Sequence, residues 1–97
     1  MSNNEIYFIQ EFNNLCRKDN RIKSWVIYVY DNIYLRIDVN FIDYNNQKYD
    51  YHKLVDRGYI EGVPKKVVQD MVLYSFEDMQ SAFLGQVLVE TKDEESI

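Results

Sequence analysis

One cysteine, one histidine, one proline and three glycines are all that 97 residues hold of the types that most restrict chemistry and backbone. The lone Cys16 rules out an intramolecular disulfide framework and fits a reducing compartment. Zinc sites gather several Cys and His side chains, and Cys16 and His52 are too few to build one. Gly58, Gly62 and Gly85 form neither G-x-G-x-x-G nor G-x-x-x-x-G-K, so the chain has no phosphate cradle and implies no cofactor. The segment Asp43 to Leu54 opens like a calcium loop, but Lys48 stands where glycine is needed and Leu54 where glutamate is needed. Long apolar runs are missing too. The longest, Trp25 to Tyr30, is six residues and cannot span a bilayer. Met1 to Glu5 carries no basic residue and leads into no signal-like apolar stretch, so a cytoplasmic protein away from membranes is expected.

Positive charge is scarce, and unevenly so. The net charge is −5. Residues 1–66 hold ten Lys/Arg against nine Asp/Glu, a balance of +1. Residues 67–97 hold Lys92 against seven acids, a balance of −6. Such a surface repels nucleic acid and steers toward basic partners. Direct nucleic-acid binding is therefore not expected, although strand tyrosines can stack bases.

Apolar and aromatic residues are abundant, at 46% and 15%, with nine tyrosines. The expectation is a single α+β domain over 1–90, followed by an acidic tail over 91–97. Ser2-Asn3-Asn4-Glu5 has the form of a capping box, and Phe8, Ile9, Phe12, Leu15 and Cys16 recur at helical spacing. This helix should end at Asp19-Asn20, with Cys16 as a small hydrophobe on its apolar stripe.

A three-stranded antiparallel meander is predicted next. Asp31-Asn32 suits a two-residue hairpin turn, which pairs Tyr28 with Leu35 and Val26 with Ile37. That register turns Val26, Tyr28 and Tyr30 to the core and leaves Trp25, Ile27 and Val29 opposite, beside Tyr34 and Arg36. In the next strand Ile33, Leu35, Ile37, Val39 and Phe41 form one apolar face. An odd-numbered second loop sets Phe41 against Tyr49 and Val39 against Tyr51, keeping the aromatics together. After Tyr51 the pattern turns helical, with a short turn over 52–57 ended by Gly58. Pro64 opens a C-terminal helix carrying Val67, Val68, Met71, Val72, Phe76, Met79 and Phe83. Ser75 can restart a second helix, 71–75 can instead be a strand, and 86–90 can add a short last strand.

No triad context, metal cluster or paired carboxylate marks an active site, so an enzyme is not expected. A protein partner, with a basic surface, is. Two surfaces qualify. The acids Glu77, Asp78, Glu90, Asp93, Glu94 and Glu95 can engage Lys/Arg, and the sheet face of Trp25, Ile27 and Tyr34 offers aromatic anchors. In size, acidity and element order the chain resembles small phage-encoded anti-defence proteins, including anti-CRISPRs built as a helix, a three-stranded meander and further helices. That resemblance implies an acidic, DNA-mimicking inhibitor that occludes the nucleic-acid-binding surface of its target in a bacterial host. An immunity or antitoxin-like inhibitor of a co-encoded toxic enzyme fits the same features. So does a homo-oligomeric adaptor, for instance a homodimer, that buries the Trp25 face on itself.

Overall fold

A computed structural model describes the backbone of residues 1–42 and 45–95, and side chains as far as residue 82. The order is helix α1 (Asn3–Lys18), strands β1 (Ile22–Tyr30), β2 (Tyr34–Ile42) and β3 (Lys48–Asp56), a one-turn helix α2 (Arg57–Ile60), and a long helix α3 (Lys65–Glu95). The sheet is an antiparallel meander in the order β1-β2-β3. The chain is thus α+β, with an N-terminal helix, a three-stranded meander and C-terminal helices.

Helix α1 starts where its sequence says it should. Ser2 Oγ accepts the Glu5 N–H at 3.2 Å, and Asp19 is the C-cap. The Glu5 side chain does more than a capping box requires. It meets the Ser2 hydroxyl at 3.3 Å and receives Arg57 Nε at 3.1 Å, far along the chain. Phe8, Phe12 and Cys16, at i, i+4 and i+8, lie in the core. Phe12 meets Phe76 of α3 edge-on at 5.7 Å, so α1 and α3 form one helical layer over the sheet. Each fully buried phenylalanine contributes about 1.5–3 kcal/mol through burial.

The second hairpin has the expected register, with Phe41 opposite Tyr49 and Val39 opposite Tyr51. The first does not. Asp31 and Asn32 take left-handed conformations (φ 55° and 57°) and Ile33 N–H bonds Tyr30 C=O at 3.3 Å, as a two-residue turn demands. Pairing nevertheless begins at Tyr30 with Tyr34, and continues as Val29 with Leu35 and Ile27 with Ile37. Ile33 is the extra residue. Its C=O accepts the Arg57 N–H at 2.9 Å, which extends the β2–β3 ladder and withdraws Ile33 from β1.

That single residue exchanges the two faces of β1. Trp25, Ile27 and Val29 pack against the core, while Val26, Tyr28 and Tyr30 are exposed. The expected assignment was the reverse. The observed one keeps the Tyr28 and Tyr30 hydroxyls near water and avoids burying polar groups without partners. Trp25 places its one polar atom well, since Nε1–H donates to Asn13 Oδ1 of α1 at 2.8 Å.

Two further expectations change. β3 continues through Asp56, because Val55 joins the core opposite Leu35, and the helical turn starts only at Arg57. α3 is one helix, so 71–75 is not a strand, Ser75 is a buried mid-helix residue rather than a cap, and the backbone over 86–90 is helical. Val68, Val72, Phe76 and Met79 supply its buried stripe. Gly62 lies at φ +74°, a conformation that favours glycine, in the connector that Asn4 pins by donating to Ile60 C=O and Val63 C=O at 2.9 Å each. Of the tail expected over 91–97, residues 91–95 have helical backbone, whereas 96–97 lie outside the described residues.

Candidate binding surfaces

Helices cover one face of the sheet, and alternation along the strands decides what the other face presents. β1 contributes Ser24, Val26, Tyr28 and Tyr30; β2 contributes Arg36, Asp38 and Asn40; β3 contributes Asp50, His52 and Leu54. Among the described residues nothing packs over this open face, and Val26, Tyr30 and Leu54 are exposed on it. Its centre is polar and tightly paired. Asp38 accepts Arg36 Nε–H at 2.9 Å, contacts His52 Nδ1 at 2.7 Å and accepts the Tyr28 hydroxyl at 3.2 Å. Partial burial alone would raise the Asp38 carboxyl, but the hydrogen bonds from His52, Arg36 and Tyr28 hold it below its ordinary value. The Arg36 guanidinium also lies over the Tyr30 ring, 5.4 Å from its centroid. This cluster spends its charges on itself and leaves little excess positive charge for a phosphate chain.

The outward side of α3 is the second surface. Val67, Asp70, Leu73, Tyr74 and Glu77 are exposed along it, with Tyr74 the most open at 69%. Asp78 has a structural duty as well. Its carboxylate accepts the Tyr51 hydroxyl at 2.7 Å and Lys53 Nζ at 3.0 Å, tying α3 to β3. Those two bonds hold its carboxyl below the usual range, while burial and Asp78 push the Tyr51 phenol up. Of the expected acidic contacts, Glu77 is free on the helix surface to the extent that it is exposed, and Asp78 is committed to the fold. Glu90, Asp93, Glu94 and Glu95 belong to the same helix by backbone, and their side chains lie outside the described residues.

A groove of about 640 Å³ separates the two surfaces. Leu54, Val55, Tyr59, Val67, Met71 and Tyr74 give it an apolar lining, with Asp56 and Asp70 also on its wall. Tyr34, half-buried at the end of β2, reaches this groove rather than the Trp25 face. Trp25 and Ile27 are thus removed from the accessible candidates, and Tyr34 acquires a different setting. Tyr59, Leu73 and Tyr74 are exposed aromatic or aliphatic residues that sequence reasoning did not single out. The signal for Tyr74 was present: it lies seven residues after Val67, one face of a continuous helix.

Cys16 and His52, the one thiol and the one imidazole, lie in different settings. Cys16 is 1% exposed in the core, and burial pushes its thiol up to about 12, so it is protonated at neutral pH. His52 lies on the open face with Nδ1 engaged by Asp38. Among the described residues no cluster of His, Cys, Asp or Glu has the makings of a metal site, and no helix is long and apolar enough to cross a membrane. Compared with protein-family models, curated proteins and solved structures, the chain matches none.

Proposed function

We propose that the chain is a non-catalytic inhibitor that binds a basic surface of a protein partner through the outward side of α3. The observation that supports this reading most is the continuity of α3. All seven acids of the last third, Asp70 to Glu95, stand on one helix instead of on two helices and a loose tail. At 1.5 Å per residue they span roughly 38 Å, about one acid per 6 Å. A DNA strand carries one charge per about 3.4 Å, so charge alone makes α3 a dilute mimic. Apolar anchoring has to add to it, and Tyr74 with Val67 and Leu73 supplies that beside Asp70 and Glu77.

The basic surface such a helix fits is one that ordinarily holds nucleic acid. An anti-defence inhibitor acting in trans and an immunity protein bound to a co-encoded toxin both work this way. Their targets distinguish them.

The experiment is capture of the partner from bacterial lysate at stepped salt, followed by titration of the purified pair. The expected result is binding that weakens steeply between 50 and roughly 300 mM salt, competes with nucleic acid, and is lost on D70K/E77K with the fold intact by circular dichroism. Binding that ignores both salt and the charge reversal overturns the proposal.

A further inference from the structure

The strand β3 is an open edge, and its own sequence describes what pairs with it. Among the described residues no strand lies beyond it. Arg57 N–H bonds Ile33 C=O, which continues the β2–β3 register, so the odd residues of β3 turn their backbone groups toward β2. Lys48, Asp50, His52, Leu54 and Asp56 turn theirs outward; among the described residues those of the first four face no partner strand, while the Asp56 C=O, at the N-cap of α2, begins that helix. Proteins usually blunt such an edge with proline, a bulge or a charge. β1, the opposite edge, has a bulge between Ile22 and Ser24, with Lys23 at it. β3 has neither proline nor bulge over nine residues, and of its charges on the open side Lys48 and Asp56 stand at opposite ends with Asp50 between. Its one charge on the helix-covered side, Lys53, is folded back onto Asp78 at 3.0 Å.

We propose that β3 pairs antiparallel with β3 of a second copy, giving a homodimer with a continuous six-stranded sheet and His52 on the two-fold axis. Only outward-facing residues can exchange ladder bonds, which restricts the registers to those that pair even residues with even. Centring on Asp50 sets Asp50 against Asp50, and centring on Lys53 sets Lys53 against Lys53 and Asp50 against Asp56; like charges directly opposite are destabilising. Centring on Tyr51 overlaps only seven residues and leaves Lys48 opposite Leu54 and Asp56 without a partner. Centring on His52 overlaps the full nine residues. It places Lys48 opposite Asp56 of the second copy at both ends, Asp50 opposite Leu54, and Tyr51 opposite Lys53. Lys48 is exposed, and Asp56 retains carboxylate capacity beyond the bond from Gly58 N–H at 2.8 Å. The two-fold axis stands perpendicular to the sheet, so both helical layers fall on one side and both open faces on the other. This edge adjoins the outward side of α3 across the groove that Leu54, Asp56, Val67, Asp70 and Tyr74 line, so separate variants tell the two proposals apart: K48D leaves the α3 acids in place, and D70K/E77K leaves the β3 edge in place.

The test is light scattering on the full chain over a range of concentrations, together with cysteine cross-linking. Wild type is expected to reach twice the 11.7 kDa chain mass. K48D breaks both end pairs and weakens the dimer roughly tenfold, and K48D/D56K restores it. Under mild oxidation H52C forms a disulfide-linked dimer, because paired Cα atoms about 5.5 Å apart meet the geometry of a disulfide. D50C does not, since its two copies lie roughly 13 Å apart along the strands. A monomer at all concentrations overturns the proposal, and so does a dimer in which D50C cross-links as well as H52C. If D56K impairs folding, the cross-linking pair decides alone.

Discussion

Glu5 offers the most demanding check on how this fold is held. Its side chain is fully buried, against 23% exposure for Arg57, and the two meet at 3.1 and 3.4 Å. Arg57 also donates to Asn32 C=O at 3.1 Å, so one guanidinium joins the start of α1, the first hairpin turn and the β3–α2 junction. Removing one partner of a buried pair costs about 3–5 kcal/mol, because the other is left charged without compensation. In Glu5→Gln the survivor is Arg57, which reaches water and keeps Asn32, so about 2–3 kcal/mol is expected. In Arg57→Met the survivor is the fully buried carboxylate, and the cost should reach the upper end of the range. Glu5→Leu with Arg57→Met should recover much of the loss, since an apolar pair of similar volume needs no compensation.

Urea unfolding followed by Trp25 fluorescence measures all three. A Glu5→Gln variant within about 0.5 kcal/mol of wild type would refute the reasoning, as would strict additivity in the double variant. Acid adds a second reading. Burial raises the Glu5 carboxyl, but Arg57 and its neighbours outweigh burial and hold it below its ordinary value. A carboxyl lowered on folding contributes stability that is complete above its unfolded value, near pH 4.3, and is lost as pH falls through the folded value. Wild type should therefore lose stability below about pH 4 more steeply than Glu5→Gln.

The corrected register of β1 predicts opposite fates for adjacent residues. Val26→Lys, on the open face opposite Asp38, should change stability by less than about 1 kcal/mol, whereas Ile27→Lys should cost several, both read from urea midpoints. Equal effects would return the strand to its other register. Cys16, held in the core with its thiol raised, should react with a thiol reagent only at the rate of unfolding, and fast labelling of the native protein would place it at the surface.

Much of the architecture follows from local chemistry. The spacing of Phe8, Phe12 and Cys16, the Ser2 cap and the alternation of Leu35, Ile37, Val39 and Phe41 are properties of a single helix turn or a single strand. The second hairpin was legible for a related reason, because parity had to put the aromatics Tyr49 and Tyr51 with Phe41 and Val39. The acidic excess of the last third needs no structure at all.

Other features depend on partners distant in sequence, which no local pattern encodes. Whether Asp31-Asn32 closes the first hairpin at Ile33 or Tyr34 was decided by the Arg57 N–H, 24 residues later, which takes the Ile33 carbonyl. From that one bond follows the reversal of β1, with Trp25 and Ile27 in the core and Tyr28 and Tyr30 in water. The reading of 52–57 as a short helical turn rested on Gly58 as its stop; in the fold these residues continue β3 as far as Asp56, and Asp78 of α3 holds the Lys53 charge on the helix-covered side. Local pattern was enough for helix α1, the order of the three strands and the place of the negative charge, but not for the end of β3 or for α3 as one helix. Tertiary structure decided which face of each element is available to a partner, because register and burial are settled by competition among distant groups for the same hydrogen bonds and the same core.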